Sequence, residues 1–199
     1  MKIVPTTSIT VMLALLAGCA GVTTGVETQG ALPAAQPAAS YRLERTPAQQ
    51  ALAETPPYEA LLRTALAKRG FVQAPDGAKY LVSVAWATRP AGIDVATDDC
   101  ERDCLPSSGP MFPWFGQRYL HELTVRMVAL PDGESVYKVT AVKRDRNADP
   151  RQALPYLVAG ALAQLPKQGG PQWRVRLGDA QPAGALPAVV SVAPAPARH

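Results

Sequence analysis

The fold is decided by the stretch Arg118-Tyr-Leu-His-Glu-Leu-Thr-Val-Arg-Met-Val-Ala-Leu130, followed by Pro131-Asp-Gly133 and Glu134-Ser-Val-Tyr-Lys-Val-Thr-Ala-Val-Lys143. In its first part apolar and polar side chains alternate, which predicts a β-strand with His121 and Leu123 on its apolar face. Residues 131–133 form a turn signature, and the β-branched residues after them predict a returning strand. The stretch therefore predicts an antiparallel hairpin.

Two amphipathic helices are predicted, one on each side of this hairpin in the chain. The first has Thr55 as its N-cap and Gly70 just beyond its end, and the second has Asp149 as N-cap and Pro150 in its first turn. Pro155 either opens the second helix or kinks it, because proline in a helix interior costs about 3 kcal/mol. Apolar residues recur at helical spacing in both helices: Tyr58, Leu61, Leu62, Ala65 and Leu66 in the first, and Leu154, Leu157, Val158, Ala161, Leu162 and Leu165 in the second.

Further strands are predicted at 41–45 and 79–88, which gives the order strand, helix, strand, hairpin and helix over residues 41–166. This order favours an α+β fold, in which a small, mainly antiparallel sheet is covered on one face by the two helices. Residues 19–40 are rich in small and polar residues, and we interpret them as a flexible tether. Residues 167–199 are interpreted as a Pro/Ala-rich tail, mostly disordered, with 173–177 as its one candidate strand.

Composition limits the classes of protein that the chain can belong to. It has 199 residues, of which 20 are proline, and a formal net charge of +4 at pH 7. The prolines crowd a few segments, so the foldable part is one modest domain, which excludes large multidomain enzymes and multi-span membrane proteins. The positive charge is too small to indicate nucleic-acid binding, and we expect no nucleic-acid partner. The sequence has no phosphate-binding glycine loop or common zinc motif, and we expect no cofactor.

The amino-terminal segment has the pattern of a secretory signal. Lys2 precedes an apolar run at 9–17, which is shorter than the roughly 20 residues that span a bilayer but suits a signal peptide. The run ends in Leu16-Ala-Gly-Cys19, which resembles the lipobox of bacterial lipoproteins. This resemblance implies a signal peptide at 1–18, cleavage before Cys19, and acyl chains such as palmitate on Cys19 that anchor the protein to the membrane. Ala20 implies the outer membrane, with the domain facing the periplasm.

The order of the elements also carries a resemblance to a known family. The matching segments are the lipobox, the helix end Ala65-Leu-Ala-Lys-Arg-Gly-Phe71, the strand Tyr80-Leu-Val-Ser-Val84, the hairpin strands around Leu123-Thr-Val-Arg-Met127 and Val136-Tyr-Lys-Val139, and the closing helix at Leu165-Pro166. Together they resemble domain-of-unknown-function family 4136 of bacterial envelope lipoproteins, over about residues 40–166. The resemblance implies the fold and the envelope location, and it implies no catalytic residues.

An acidic stretch at 98–104 holds the two cysteines that remain once Cys19 is lipidated. In an oxidising compartment Cys100 and Cys104 are expected to form a disulfide that closes a short loop, which leaves no metal site. The alternative is a metal site in which both thiolates join Asp98 and His121. His121 is otherwise interpreted as a structural histidine of the sheet.

Four large apolar side chains lie close together in a Pro/Gly-rich loop at 105–117: Met111, Phe112, Trp114 and Phe115. Such a loop either folds back over the sheet or exposes an apolar patch, and exposed patches mark partner sites. A third possibility is that the loop dips into the bilayer. The sequence thus predicts an envelope protein as a partner of this loop, beside the membrane contact through Cys19.

No nucleophile and base are spaced in a recognisable catalytic pattern. We therefore expect a non-enzymatic, membrane-anchored periplasmic lipoprotein that acts as a binding or assembly module of the cell envelope. The alternative function is a metal- or redox-responsive envelope protein that uses the acidic loop of Cys100 and Cys104.

Overall fold

The computed structural model describes residues 21–32, 39–51, 54–91, 117–165 and 172–195. Within these ranges the strands are β1 (Val22–Gly30), β2 (Ala39–Glu44), β3 (Phe71–Gln73), β4 (Tyr80–Pro90), β5 (Tyr119–Ala129), β6 (Ser135–Asp145), β7 (Gln172–Leu177) and β8 (Val189–Pro194). The helices are α1 (Pro47–Gln50), α2 (Tyr58–Ala67) and α3 (Pro150–Leu162). No helix in these ranges is long and apolar enough to cross a membrane.

The eight strands form one sheet in the order β3-β2-β4-β5-β6-β1-β7-β8. β2 runs parallel to its neighbours β3 and β4, and the other pairs are antiparallel. The predicted hairpin is confirmed as β5 and β6, with Val125 opposite Val139. The fold is therefore α+β with a mainly antiparallel sheet, as the sequence predicts.

The sheet is larger than predicted, because the predicted tether and the predicted tail both contribute strands to it. Residues 22–30, placed in the flexible tether, form β1 between β6 and β7, and its Thr24 and Val26 are buried. Residues 172–177 form β7, which confirms the candidate strand at 173–177, whereas 189–194, placed in the mostly disordered tail, form β8. The physical reason is pairing: a strand of Thr, Gly and Gln with few large side chains is stabilised by backbone hydrogen bonds to two neighbours. The prediction of a small sheet is wrong.

The core lies on one face of the sheet. Residues that pair directly across antiparallel strands share a face, and Val84, Val125 and Val139 form one such buried row. α3 packs against β1, β5, β6 and β7 on this face, and α2 packs against α3 and β3. The opposite face carries polar and charged side chains on β5, β6, β1 and β7, most of them exposed.

The helix ends agree only partly with the predicted caps. α2 begins at Tyr58 with Pro57 at the N-cap position and no side-chain cap, so Thr55 is not its cap. Asp149 is the N-cap of α3 as predicted and accepts a hydrogen bond from the Arg151 N–H at 2.9 Å. Pro155 lies inside α3, which continues through it, and its ring is buried in the core.

α3 approaches β1 most closely at Gly160. A Cβ atom at this position would lie 2.5 Å from Thr24 Oγ1 and 3.3 Å from Thr24 Cβ. Thr24 Oγ1 is itself buried and makes no hydrogen bond within the described residues. When residues 22–30 form a strand, Thr24 occupies the space next to position 160, and only glycine fits there. Substitutions of Gly160 and Thr24 therefore test directly whether that strand forms.

Replacing Gly160→Ala is expected to destabilise the protein by about 1–2 kcal/mol, because overpacking a close contact outweighs the better helix propensity of alanine. In a Thr24→Ala background, which removes the facing hydroxyl, the same substitution is expected to become neutral or stabilising. The measurement is urea unfolding of the four proteins of the double-mutant cycle. Gly25→Ala is the matched control, since a Cβ there comes no closer than 4.0 Å to a neighbour. Equal effects of Gly160→Ala in both backgrounds would contradict the contact.

Candidate functional site

The candidate site is the end of the sheet at which β1 begins, which we call the proximal end. Pro90 at the end of β4 pairs with Tyr119 at the start of β5, and Tyr119 pairs with Asp145 at the end of β6. Val22 at the start of β1 pairs with Leu177 at the end of β7. Five strands thus bring their termini to one end of the sheet, where two groups of polar side chains lie, one on each face.

On the core face of the proximal end, His121 is held by hydrogen bonds on both ring nitrogens. The ring is 1% exposed, with Nδ1 at 2.8 Å from Thr88 Oγ1. Nε2 lies 2.9 Å from the carbonyl oxygen of Asn147 and 3.1 Å from Asp145 Oδ1. Because a carbonyl oxygen only accepts, Nε2 carries a proton, and in the neutral ring Nδ1 accepts from the Thr88 hydroxyl.

Asp145 links this histidine to a buried lysine. Its Oδ2 pairs with Lys143 Nζ, and its Oδ1 accepts from the Asn147 backbone N–H at 2.9 Å. Partial burial by itself would raise the pKa of the Asp145 carboxyl, but the hydrogen bonds from Lys143 and Asn147 and the charge of Lys143 outweigh it and hold the pKa below its ordinary value of 3.8. Lys143 Nζ also lies 5.4 Å from the centroid of the Tyr156 ring, within the range of a cation–π contact.

The order hydroxyl, imidazole, carboxylate at Thr88, His121 and Asp145 is the order of a hydrolase relay. A reacting group would need access to the imidazole, and this ring is buried with both nitrogens engaged. The cluster instead ties β4, β5 and β6 to the segment before α3. The geometry supports the interpretation of His121 as a structural histidine.

A second charged cluster fixes α2. Glu59, in the first turn of α2, is 2% exposed and pairs with Arg45 Nε at 2.5 Å and Arg63 Nη2 at 2.9 Å. The hydrogen bond to Glu59 raises the pKa of the Arg45 guanidinium. This cluster joins α2 to the residue that follows β2, and every oxygen of the buried carboxylate has a partner.

Most of the predicted site residues lie outside the described residues: Cys19, Asp98, Cys100, Cys104, Met111, Phe112, Trp114 and Phe115. The loop of 105–117 joins the described chain through Ala91 and Gln117, both at the proximal end. Of the alternative metal ligands only His121 is described, and it would have to release one of its hydrogen bonds to bind a metal. The described residues include no group of three or more His, Cys, Asp or Glu side chains that could hold a metal ion.

On the opposite face of the proximal end, three arginines are exposed: Arg144 on β6 and Arg174 and Arg176 on β7. Arg176 pairs with Thr23 of β1, and the register of β1 with β6, continued from Gly25 opposite Val142, brings Arg144 to the other side of Thr23. Since neighbouring strands are about 4.8 Å apart, these two arginines lie about 10 Å apart across β1. Within the described part of the chain none of the three forms an ion pair.

Further along the same face the charges are mixed. A shallow depression of about 200 Å³ is lined by Glu27, Gln29, Glu122, Lys138 and Thr140. It is lined by two carboxylates and one amine, and it has little apolar lining. The arginines at the proximal end therefore form the strongest one-sign feature of the face.

Two exposed apolar residues lie at the start of β8, beside the end of β7. Val189 and Val190, at the start of β8, are 41% and 63% exposed, and Val189 pairs with Leu177 at the end of β7. The sequence analysis named 173–177 a candidate strand, on which Trp173, Val175 and Leu177 alternate with two arginines, but it placed this strand in the tail and not in the sheet. It therefore missed the arginine cluster, and it missed β8 with these valines.

Neither protein-family models nor curated protein sequences match this chain. Among solved structures, a PelC dodecamer from Paraburkholderia phytofirmans is similar at 16% identity, over 72% of this chain and 99% of that one, with a TM-score of 0.43. A second PelC dodecamer crystal form gives 15% identity, the same coverage and a TM-score of 0.44. A PDZ domain protein from Parabacteroides distasonis gives 12% identity and a TM-score of 0.48 over 78% of this chain and 40% of that one. Similarity at this level identifies neither a family nor a function.

Proposed function

We propose that the chain is a bacterial lipoprotein, anchored in the outer membrane by acyl chains on Cys19 and facing the periplasm. In this role it is a non-enzymatic binding or assembly module of the cell envelope. The observation that supports the proposal is the short distance between the lipobox and the folded domain: Cys19 ends the lipobox, and β1 begins at Val22. A domain that starts directly after a lipidated residue lies close to the membrane surface and not at the end of a flexible tether.

The geometry of the anchor differs from the one that the sequence predicts. A flexible tether of residues 19–40 would let the domain move about 25 Å from the bilayer. With β1 in the sheet, only Ala20 and Gly21 separate Cys19 from Val22. Consecutive Cα atoms are 3.8 Å apart, so the Cα atom of Cys19 lies within about 11 Å of that of Val22. The proximal end of the sheet then faces the membrane.

The proposal also includes the arrangement of the helices and the role of the aromatic loop. We place α2 and α3 in a single layer over the apolar face, since α2 packs on α3 and both contribute to one hydrophobic core. The aromatic loop of 105–117 is the proposed surface for an envelope protein, and it joins the chain at the proximal end through Ala91 and Gln117. The resemblance to family 4136, which includes the lipobox and the hairpin, supports the proposed fold and the envelope location.

The anchor is tested by Cys19→Ala in cells of a diderm bacterium fed labelled palmitate. The wild-type protein is expected to carry the label and to fractionate with the outer membrane, whereas the variant is expected to lose the label completely, because no other residue accepts the lipid. A Cys100→Ala, Cys104→Ala double variant is the control and should label as the wild type does. Intact mass before and after reduction reports the disulfide in the same sample. Equal labelling of the wild type and Cys19→Ala would overturn the proposed function.

A further inference from the structure

The arginines of the proximal end surround the start of β1. Arg176 lies beside Thr23 on one side and Arg144 on the other, while Arg174 lies one step further along β7 on the same face. The Arg176 guanidinium also reaches back over Gly21, since a Cβ on that glycine would lie 3.7 Å from Nε and 3.8 Å from Nη2. A cationic group thus lies beside the residue that is two positions after Cys19.

The nearest acidic groups form no ion pair with these arginines. Glu27 on β1 lies one same-face step beyond Gly25, the partner of Arg174, Glu122 lies opposite Val142, further from the proximal end, and Asp179 follows β7 on an exposed segment. Asp145, at the end of β6, belongs to the other face and is paired with Lys143. The exposed face at the start of β1 therefore keeps a positive charge from three guanidinium groups.

We propose that this face of the proximal end lies on an anionic phospholipid surface, with Arg144, Arg174 and Arg176 bound to lipid phosphates. The inference rests on the proposed function, because the anchor on Cys19 is what brings the proximal end to the bilayer. Guanidinium groups bind phosphate oxygens through two parallel hydrogen bonds and carry little hydration to lose. An acyl anchor combined with a basic patch is also a common way to hold a protein on a membrane.

A phospholipid surface fits the features of this end better than an acidic protein does. Val190 extends an exposed apolar side chain near Gly178, on the same side of β7 as the arginines, and a surface that is both cationic and apolar suits the boundary between headgroups and acyl chains. At the far end of the same face the charges around the depression are mixed, and the large exposed apolar residue described there is Val72 on the edge strand β3. The proximal end therefore combines neighbouring arginines with an exposed valine next to Cys19.

The test removes the anchor so that only the arginines can bind. The chain from residue 19 onward keeps every described element and carries Cys19→Ser. It is sedimented at about 0.05 M salt with vesicles of phosphatidylcholine alone or with about 40% phosphatidylglycerol, since surface charges are screened beyond about 10 Å at 0.1 M salt. The test variant combines Arg144→Gln, Arg174→Gln and Arg176→Gln. The charge-matched control changes three exposed cations at the far end of the same face: Arg42→Gln, Arg126→Gln and Lys138→Gln.

The unsubstituted chain and the control are expected to bind the anionic vesicles, and none of the proteins is expected to bind phosphatidylcholine alone. Each basic residue near an anionic surface strengthens binding about fivefold, so the test variant should lose about a hundredfold in partitioning. Thermal unfolding of the variant should match that of the unsubstituted chain, because all three side chains are exposed. Equal binding by the test variant, or an equal loss in the control, would overturn the proposal. Binding to polyglutamate but not to vesicles would also overturn it and would indicate an acidic protein partner.

The two proposals fail in different experiments. Labelled Cys19 together with unchanged vesicle binding in the arginine variant would leave the lipoprotein and remove the arginine contact. Arginine-dependent vesicle binding without any label on Cys19 would remove the lipoprotein and leave a basic membrane-binding surface.

Discussion

A chain from residue 19 onward that lacks 22–30 is expected not to fold. β1 lies between β6 and β7, and within the described residues β7 pairs only with β1 and β8. Removing β1 separates β7 and β8 from the rest of the sheet and exposes the apolar side of α3 around Gly160. Small domains are stable by only about 5–15 kcal/mol, which is less than the loss of a central strand with all its pairing and burial.

Circular dichroism and calorimetry distinguish the outcomes. The deleted chain should show no cooperative thermal transition, while the chain from residue 19 with β1 intact should unfold in one step. A second control removes 189–195, which includes the edge strand β8, and should weaken the fold without abolishing it, because β7 keeps its pairing with β1. A cooperative transition in the chain without 22–30 would show that those residues are a tether after all.

The second large effect is expected from Asp145→Asn, which removes one charge and keeps the shape of the side chain. Lys143 would then stay buried beside a neutral amide, with its side chain only 10% exposed. Breaking a buried ion pair by removing one partner costs about 3–5 kcal/mol. Because Asp145 is 26% exposed, we expect a loss near the low end, about 3 kcal/mol at pH 7. Urea unfolding measures it.

The pKa of Asp145 predicts how the stability difference between wild type and Asp145→Asn changes with pH. The pKa of Asp145 is lower in the folded protein than its ordinary value of 3.8, so between the two pKa values the unfolded chain binds more protons. The contribution of the carboxylate is therefore complete above the ordinary pKa and is lost as the pH falls through the folded pKa. The difference between wild type and Asp145→Asn should be constant from pH 7 to about pH 5 and should shrink below about pH 4.

Asp149→Asn is the matched control for this experiment. It makes the same change of charge four positions along the chain, at an exposed N-cap where asparagine caps a helix about as well as aspartate does. Its stability and its pH profile should follow those of the wild type. A loss in Asp149→Asn as large as that in Asp145→Asn would indicate a general charge effect and would contradict the buried pair.

The parts of the fold that follow from local pattern could be predicted from the sequence. The hairpin of β5 and β6 was predictable because Leu123 and Val125 alternate with polar residues up to a clear turn. The N-terminus of α3 was predictable because Asp149 and Pro150 have local roles. β1 was not, since its stability comes from strands that are distant in the chain, and residues such as Gly25 and Gln29 carry no local strand signal.

The same limit applies to the candidate site. His121 was singled out, and its alternation with Leu123 placed it on the core face. Its partners Thr88, Asp145 and Asn147 come from β4, from β6 and from the segment before α3, and no spacing in the sequence shows that they meet. The arginine cluster could not be predicted for a related reason: Arg144 and Arg176 come near each other only because β1 pairs with both β6 and β7.

The position of β1 also has a consequence for the order in which the molecule is assembled. Val22 is among the first residues of the domain to be synthesised, yet it pairs with Leu177, near the other end of the chain. The sheet therefore cannot close at its centre until almost the whole polypeptide has been exported, and loops that long are slow to form. Under the proposed function, Cys19 would be cleaved and acylated before β1 pairs with β7. Lipid attachment would then precede the closing of the sheet, and the last step of folding would take place at the membrane.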